Sequence, residues 1–248
     1  MKSITLVAWN RSVYTKKVLK SLEKCNTKGY SLFVGLEPGC PEVFRVIKEF
    51  ADKKVLPVKI IQNKKRLGVD YNNYNVYNIA FSEGSEFNVA LEDDSVLSPD
   101  ALDLANWFFR YKKRDNYLLL NLFNNSTNKK SPLILKETSG FCPWGYCITK
   151  KMFEKWLKQN WMRHKLDLNL IFYKLGWYRL CNQIGYDWFI SAVMKKNNLK
   201  SLTPVLSRTR NIGREKGTHC TPELYDQQFS KDFTLGEKNY GKKFKVRH

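Results

Sequence analysis

The chain has 248 residues, 43% hydrophobic and 14% aromatic, and its 43 Lys and Arg outnumber 23 Asp and Glu for a net charge of +20. A chain of this size buries about 70–75% of its unfolded surface, so the composition predicts a globular domain and excludes disorder outside a short tail. No run reaches the ~20 apolar residues that cross a bilayer, and Ile4–Ala8 is too short for the apolar part of a signal peptide, so the sequence reads as cytoplasmic.

In chain order, Ile4–Trp9 is expected as a first strand, followed by a helix with Val18, Leu19 and Leu22 on one face. Ser31–Leu36 is the next strand, and Pro41 opens a helix carrying Val43, Ile47 and Phe50. Val58–Ile61 is a third strand, and Asp70–Phe81 a helix with Tyr74, Tyr77 and Phe81 at helical spacing. The apolar run from Phe87 ends in three acids, Glu92-Asp93-Asp94. Ser98-Pro99-Asp100 reads as a helix start, with a capping hydroxyl, a proline at the first helical position and an acid against the dipole.

This alternation predicts an α/β fold with a mostly parallel central sheet flanked by helices. Such sheets bind ligands beyond the carboxyl ends of their strands. Asn10-Arg11, Glu37 and Glu92–Asp94 each follow a candidate strand and are expected to converge there.

The second half is less regular. Asn121–Ser131 is expected as a loop, Trp144–Ile148 as a strand, and a helix from about Lys150. Asp187–Asn197 reads as a helix with Trp188 and Val193 inward, and Lys200–Val205 as a return to the sheet. Residues 1–235 are expected to form the domain and 236–248 a basic, flexible tail. The six cysteines form no CxxC pair and read as reduced thiols.

Charge is expensive to desolvate, so an acid triplet ending a buried strand needs a compensating partner. A divalent cation with a phosphate-bearing ligand on its far side is one answer; a solvated strand-to-helix turn is the other. There is no Walker loop and no GxGxxG after the first strand, and the histidines offer no metal-ligand pair at helical spacing, which leaves a metal-bridged diphosphate as the main phosphate site. The charge of +20 either attracts polyanions (nucleic acid, an acidic membrane surface, phosphorylated small molecules) or is a lysine-rich solvated surface. The basic residues are spread along the chain, whereas a nucleic-acid reader concentrates them on one face, so nucleic acid is not the expected partner.

Four segments, in order, resemble glycosyltransferases of the GT-A fold, in particular N-acetylglucosaminyltransferase I and its protein O-mannose relatives. They are Leu6–Arg11; Ala90–Asp94 with Leu97–Asp100; Trp144-Gly145-Tyr146 with Tyr186-Asp187-Trp188; and Pro204–Thr209 continuing through Ile212-Gly213-Arg214, Lys216-Gly217 and Tyr225-Asp226-Gln227. The resemblance implies an inverting, metal-dependent transfer of a sugar, GlcNAc among the options, from a UDP-sugar to a hydroxyl of a glycan or glycoconjugate. It implies Asp94 as the ligand of Mn2+ or Mg2+, with Glu92 and Asp93 near the ribose and the metal's water shell. It places Arg11 on the donor nucleotide, Glu37 where the family has an acid against the uracil edge, and Asn72 near a family histidine. Asp187 matches the catalytic base, and Arg208, Arg214 and His219 lie in the segment resembling the loop that closes over donor.

Each residue also has a plainer reading. Asp187 caps its helix, Arg208 and Arg214 are surface ion-pair partners, Glu37 is a turn acid, and Asn72, Asn73, Asn75 and Asn78 form a polar helix face. Trp144 is the best candidate for an aromatic wall against an acceptor sugar, the other aromatics being core. The rival functions are a nucleic-acid-binding protein and a sugar nucleotidyltransferase.

Overall fold

β1 (Lys2–Ala8), β2 (Tyr30–Leu36) and β4 (Phe87–Glu92) are almost continuously buried, as strands covered on both faces must be. The computed structural model describes residues 1–125, 131–161, 185–215, 221–228 and 238–247. α1 (Ser12–Leu22) joins β1 to β2, α2 (Pro41–Asp52) leads on to β3 (Val58–Gln62), and α3 (Gly68–Ser82) returns the chain to β4. Val18, Leu19 and Leu22 of α1 and Val43, Ile47 and Phe50 of α2 are buried as their spacing predicts, in the core on one face of the sheet. Tyr77 and Phe81 of α3 belong to a second core on the other face.

After β4 come β5 (Ser95–Leu97), α4 (Ala101–Arg110), β6 (Tyr117–Asn121), β7 (Ile134–Thr138) and β8 (Tyr146–Thr149). α5 (Lys150–Met152) runs into a π turn (Phe153–Leu157) and a 3-10 turn (Lys158–Asn160). α6 (Tyr186–Lys196), β9 (Lys200–Pro204), β10 (Thr209–Asn211), α7 (Pro222–Gln228) and β11 (Lys245–Arg247) follow. The nine-stranded sheet has the order β11-β7-β9-β6-β8-β4-β1-β2-β3, and β10 pairs with β5 in a separate ribbon. β1 to β4 are mutually parallel, β8 is antiparallel to both β4 and β6, and β7 is antiparallel to β9.

Several expectations are corrected. Trp188 is 63% exposed: the inward face of α6 is taken by Tyr186, Phe189, Ile190, Val193 and Met194, whose helical spacing turns residue 188 outward. Asn72 and Asn73 are buried rather than on a polar face. Asn73 accepts from the Tyr77 hydroxyl at 2.9 Å, and Tyr77 in turn accepts from Tyr146 at 2.8 Å. α4 begins at Ala101, not Pro99, because Ser98 and Asp100 bond to each other (2.8 Å) and Asp100 is drawn into an ion pair with Arg208. Within the segment expected as a tail, Lys245–Arg247 form an edge strand on β7, and Phe244 is buried against Trp107.

Candidate active site

The parallel register carries the site. Val7 of β1 pairs with Glu92 of β4, and Ala8 with Leu36 of β2, so the residues that follow these strands leave the sheet at one carboxyl edge. The chain builds outward from β1 to β2 and β3 and then returns to β1's other side as β4. The crevice between β1 and β4 is therefore a topological switch point, where open α/β sheets bind ligands.

Arg11, Asp93 and Asp94 meet there. The Arg11 guanidinium pairs with Asp93 through Nη2, and its Nη1 lies 2.8 Å from Asp94 Oδ2. Both aspartates are 5% exposed. Burial opposes the charge of Arg11, but the carboxylates of Asp94, Asp93 and Glu92 outweigh it and hold its pKa above the ordinary value. Glu92 accepts from the Tyr186 hydroxyl at 2.9 Å. Burial, then the charge of Asp94, raises Glu92 to about 8. Asp93 is raised to about 6 by burial, against the charge of Arg11, with Asp94 adding to the rise. Three carboxylates thus face one guanidinium, and the cluster is short of positive charge inside a strongly basic protein.

β10 covers this cluster through its pairing with β5. Asn211 donates to Asp94 Oδ1 at 3.1 Å and accepts from the Gly213 backbone at 2.8 Å, and Ile212 N–H bonds the Asp94 carbonyl at 2.9 Å. A Cβ at Gly213 would stand 2.1 Å from Asp94 Oδ2 and 3.0 Å from Arg11 Nη1, so only glycine allows this approach. Gly213→Ala is accordingly expected to displace the Asp94 carboxylate. Ligand affinity at the site should fall by about tenfold or more, and unfolding free energy by about 1–3 kcal/mol, the usual scale for overpacking a buried position. Titration calorimetry beside a urea melt checks this. Asn211 and Gly213 went unnoticed as site residues in the sequence; a glycine two residues past a polar strand end was their only signal.

Other expected site residues fall at varying distances from this cluster. Arg214 is at the rim, half-exposed, and donates from Nε and Nη2 to Asp226 at 2.7–2.8 Å. Glu37 is buried and accepts the Leu67 N–H at 3.0–3.1 Å, fixing the entry to α3. Asn72 donates to the Gly35 carbonyl at 2.8 Å and accepts from Asn63 at 3.0 Å, and a Cβ on Gly35 would sit 2.3 Å from its Oδ1. Glu37 and Asn72 therefore clamp α3 to the end of β2.

Asp187 is half-buried in the first turn of α6. α6 is tied to the cluster by the Tyr186–Glu92 bond and to α3 by Asp70, which accepts the Tyr186 N–H at 2.8 Å. Burial, with the charges of Glu92 and Asp187 adding, pushes the Cys142 thiol up to about 12. Trp144 is half-exposed, edge-on to Phe123, and its carbonyl accepts from Thr209.

Arg208 does not reach the site. It is 0% exposed, its Nε lies 2.9 Å from Asp100 Oδ1 without hydrogen-bond alignment, and its other nitrogens bond the Leu206 and Pro132 carbonyls at 2.6 and 2.7 Å. Its charge neutralises Asp100 beneath Tyr240 and Phe244. Arg208→Ala is expected to lower the unfolding free energy by about 3–5 kcal/mol, the loss on stripping one partner from a buried pair. A denaturant titration reads this directly. His219 lies outside the described residues.

The oxygen donors at Glu92, Asp93 and Asp94 suit a hard divalent cation, and the surplus negative charge gives such an ion a reason to bind. Among the described residues no three His, Cys, Asp or Glu side chains form a ready-made cage. An ion here would take the rest of its shell from water and a phosphate-bearing ligand.

The mostly parallel sheet with an acid cluster at its switch point is an α/β fold, and among solved structures its likeness is to glycosyltransferases. Residues 1–349 of S. aureus TarS match with a TM-score of 0.54 and 12% identity over 84% of this chain and 59% of that one. A second S. aureus TarS structure matches with a TM-score of 0.53 and 13% identity over 84% and 35%. The apo glycosyltransferase GlyE of Streptococcus pneumoniae TIGR4 gives 0.49 and 16% over 81% and 44%. At these identities the likeness is one of fold, and the chain spans less than two thirds of the length of these relatives. TarS has been captured with UDP and with UDP-GlcNAc. No family model matches the chain, and no curated protein matches it.

Proposed function

We propose that the protein is a glycosyltransferase that moves a sugar from a nucleotide-sugar to a hydroxyl group. The observation that carries this reading is the Arg11–Asp93–Asp94 cluster at the β1/β4 switch point of a fold shared with TarS. A UDP-sugar is the donor class favoured, because the chain resembles UDP-GlcNAc-dependent enzymes at Leu6–Arg11 and Ala90–Asp94 and because TarS binds UDP-GlcNAc. The transferase domain in this proposal extends to the edge strand at Lys245–Arg247.

Asp94 would hold the divalent ion, Mn2+ or Mg2+, which supplies Lewis-acid stabilisation to the departing diphosphate. Arg11 neutralises Asp93 and Asp94 and orients both carboxylates toward the crevice. Glu92, fixed by Tyr186, and Asp93 face the ribose side. Glu37 and Asn72 shape the base end through α3, and Arg214 stands at the rim over the donor. Asp187 takes the proton from the acceptor hydroxyl as that oxygen attacks the anomeric carbon and the C1–O bond to the diphosphate breaks. One displacement inverts the anomeric centre.

Incubation with a panel of nucleotide-sugars tests the proposal. UDP as the released product is the expected result; pyrophosphate release would make the protein a nucleotidyltransferase instead. No helix among the described residues is long and apolar enough to cross a membrane.

A further inference from the structure

Among the described residues four large apolar side chains are exposed, and apart from the terminal Met1 they share one place in the fold. Val13 (65% exposed) is in the first turn of α1, Tyr71 (48%) in the first turn of α3, and Trp188 (63%) in the first turn of α6. α1 and α3 follow β1 and β3, so both begin at the carboxyl edge of the sheet. α6 begins there too, since Tyr186 bonds Glu92 at the end of β4. Single exposed apolar residues are ordinary. Three in the first turns of separate helices, all of which begin at the edge that bears the site, are not scattered.

An exposed basic stretch lies at the same edge. Lys64, Lys65 and Arg66 are exposed in the connection from β3 to α3, and none makes an ion pair among the described residues. Arg66 lies 3.6 Å over the ring of Trp9, which itself follows β1. Of the acids at this rim, Glu42 is engaged with Ser12 and Glu215 and Asp226 with Arg214, while Asp93 and Asp94 are buried. Tryptophan and tyrosine favour the membrane–water interface, and exposed Lys and Arg are attracted to anionic headgroups. With a net charge of +20 behind it, we propose that the carboxyl edge of the sheet docks on an anionic lipid surface, the site facing the bilayer. Charge complementarity selects this occupant over a neutral partner. The interfacial Trp and Tyr select it over nucleic acid, which these side chains would meet only where bases are unstacked.

Co-sedimentation of the full chain with vesicles tests this. Binding is expected to vesicles of phosphatidylcholine and phosphatidylglycerol in equal parts, and to be weak on phosphatidylcholine alone. Lys64→Gln with Lys65→Gln should weaken binding about thirtyfold, at roughly 1 kcal/mol for each charge. Trp188→Ser should lose part of the blue shift in tryptophan emission seen on adding anionic vesicles. Lys112→Gln with Lys113→Gln makes the same charge change where α4 leads into β6, at the opposite edge, and should change affinity less than threefold. Equal loss in both double variants would mean diffuse charge rather than a docking edge and would overturn the proposal. So would tighter binding to duplex DNA than to anionic vesicles, or self-association without lipid binding. UDP release in solution is unaffected by any of these outcomes, so this inference stands or falls separately from the transferase reading.

Discussion

Asp94→Ala is expected to abolish sugar transfer, with kcat/KM falling about a thousandfold or more. A bound metal's stabilisation of developing charge is worth several kcal/mol, and each 1.4 kcal/mol is a factor of ten. The fold should survive the change. Arg11 retains Asp93, the Ile212 N–H to residue 94 carbonyl bond is independent of the side chain, and removing one of three crowded acids relieves the repulsion that adds to burial in raising Glu92. The variant should therefore melt within a few degrees of the parent while losing Mn2+-dependent UDP binding. EDTA should reproduce the loss in the parent, and added Mn2+ or Mg2+ should restore it. Undiminished turnover in EDTA, or in Asp94→Ala itself, would end the metal assignment.

Asp94→Asn gives a finer reading. An asparagine keeps an oxygen for the Asn211 bond but loses the charge that Arg11 meets at 2.8 Å. If the charge is what matters, it should be nearly as inactive as the alanine variant. If the carboxylate only positions β10, activity should largely persist.

The parallel half of the fold was legible because each of its elements carries its own periodicity. β1, β2 and β4 are apolar runs, α1 and α2 bury Val18, Leu19 and Leu22 and Val43, Ile47 and Phe50, and the acids follow β4 at the ligand-binding edge. The second half was harder because its pairings join distant segments. β8 sits antiparallel between β4 and β6, and β10 leaves the main sheet to pair with β5, neither of which local pattern encodes. Side-chain roles were harder still. Arg208 and Arg214 look alike in sequence, yet one is buried on Asp100 and the other exposed on Asp226. Trp188 was misread although the inward spacing of Tyr186, Phe189, Ile190 and Val193 was available; a single aromatic outweighed the helical pattern. Asn72 reads as polar surface until β2 is placed beneath it, since its partner is the Gly35 carbonyl 37 residues earlier.

Asp187→Asn is expected to lower kcat by about 10²–10⁴, the range for losing a general base, with UDP affinity and donor KM nearly unchanged. An interaction used only in the transition state removes rate without removing binding. The competing role is a helix cap, since the Asp187 carboxylate lies in the first turn of α6 and a Cβ on Gly185 would stand 2.6 Å from its Oδ1. The two roles part in activity. A cap lost costs about 1 kcal/mol, and asparagine caps as well as aspartate, so a capping Asp187 would leave Asp187→Asn both stable and active. Asp70 is the internal control: it already accepts the Tyr186 N–H, so Asp70→Ala should destabilise the α3–α6 junction by about 1–3 kcal/mol, as expected when a buried donor loses its acceptor. Rate loss without stability loss at Asp187, against stability loss at Asp70, is the pattern of a base held in place by its neighbour. If Asp187→Asn keeps its rate, residue 187 serves the fold and the proton acceptor lies elsewhere.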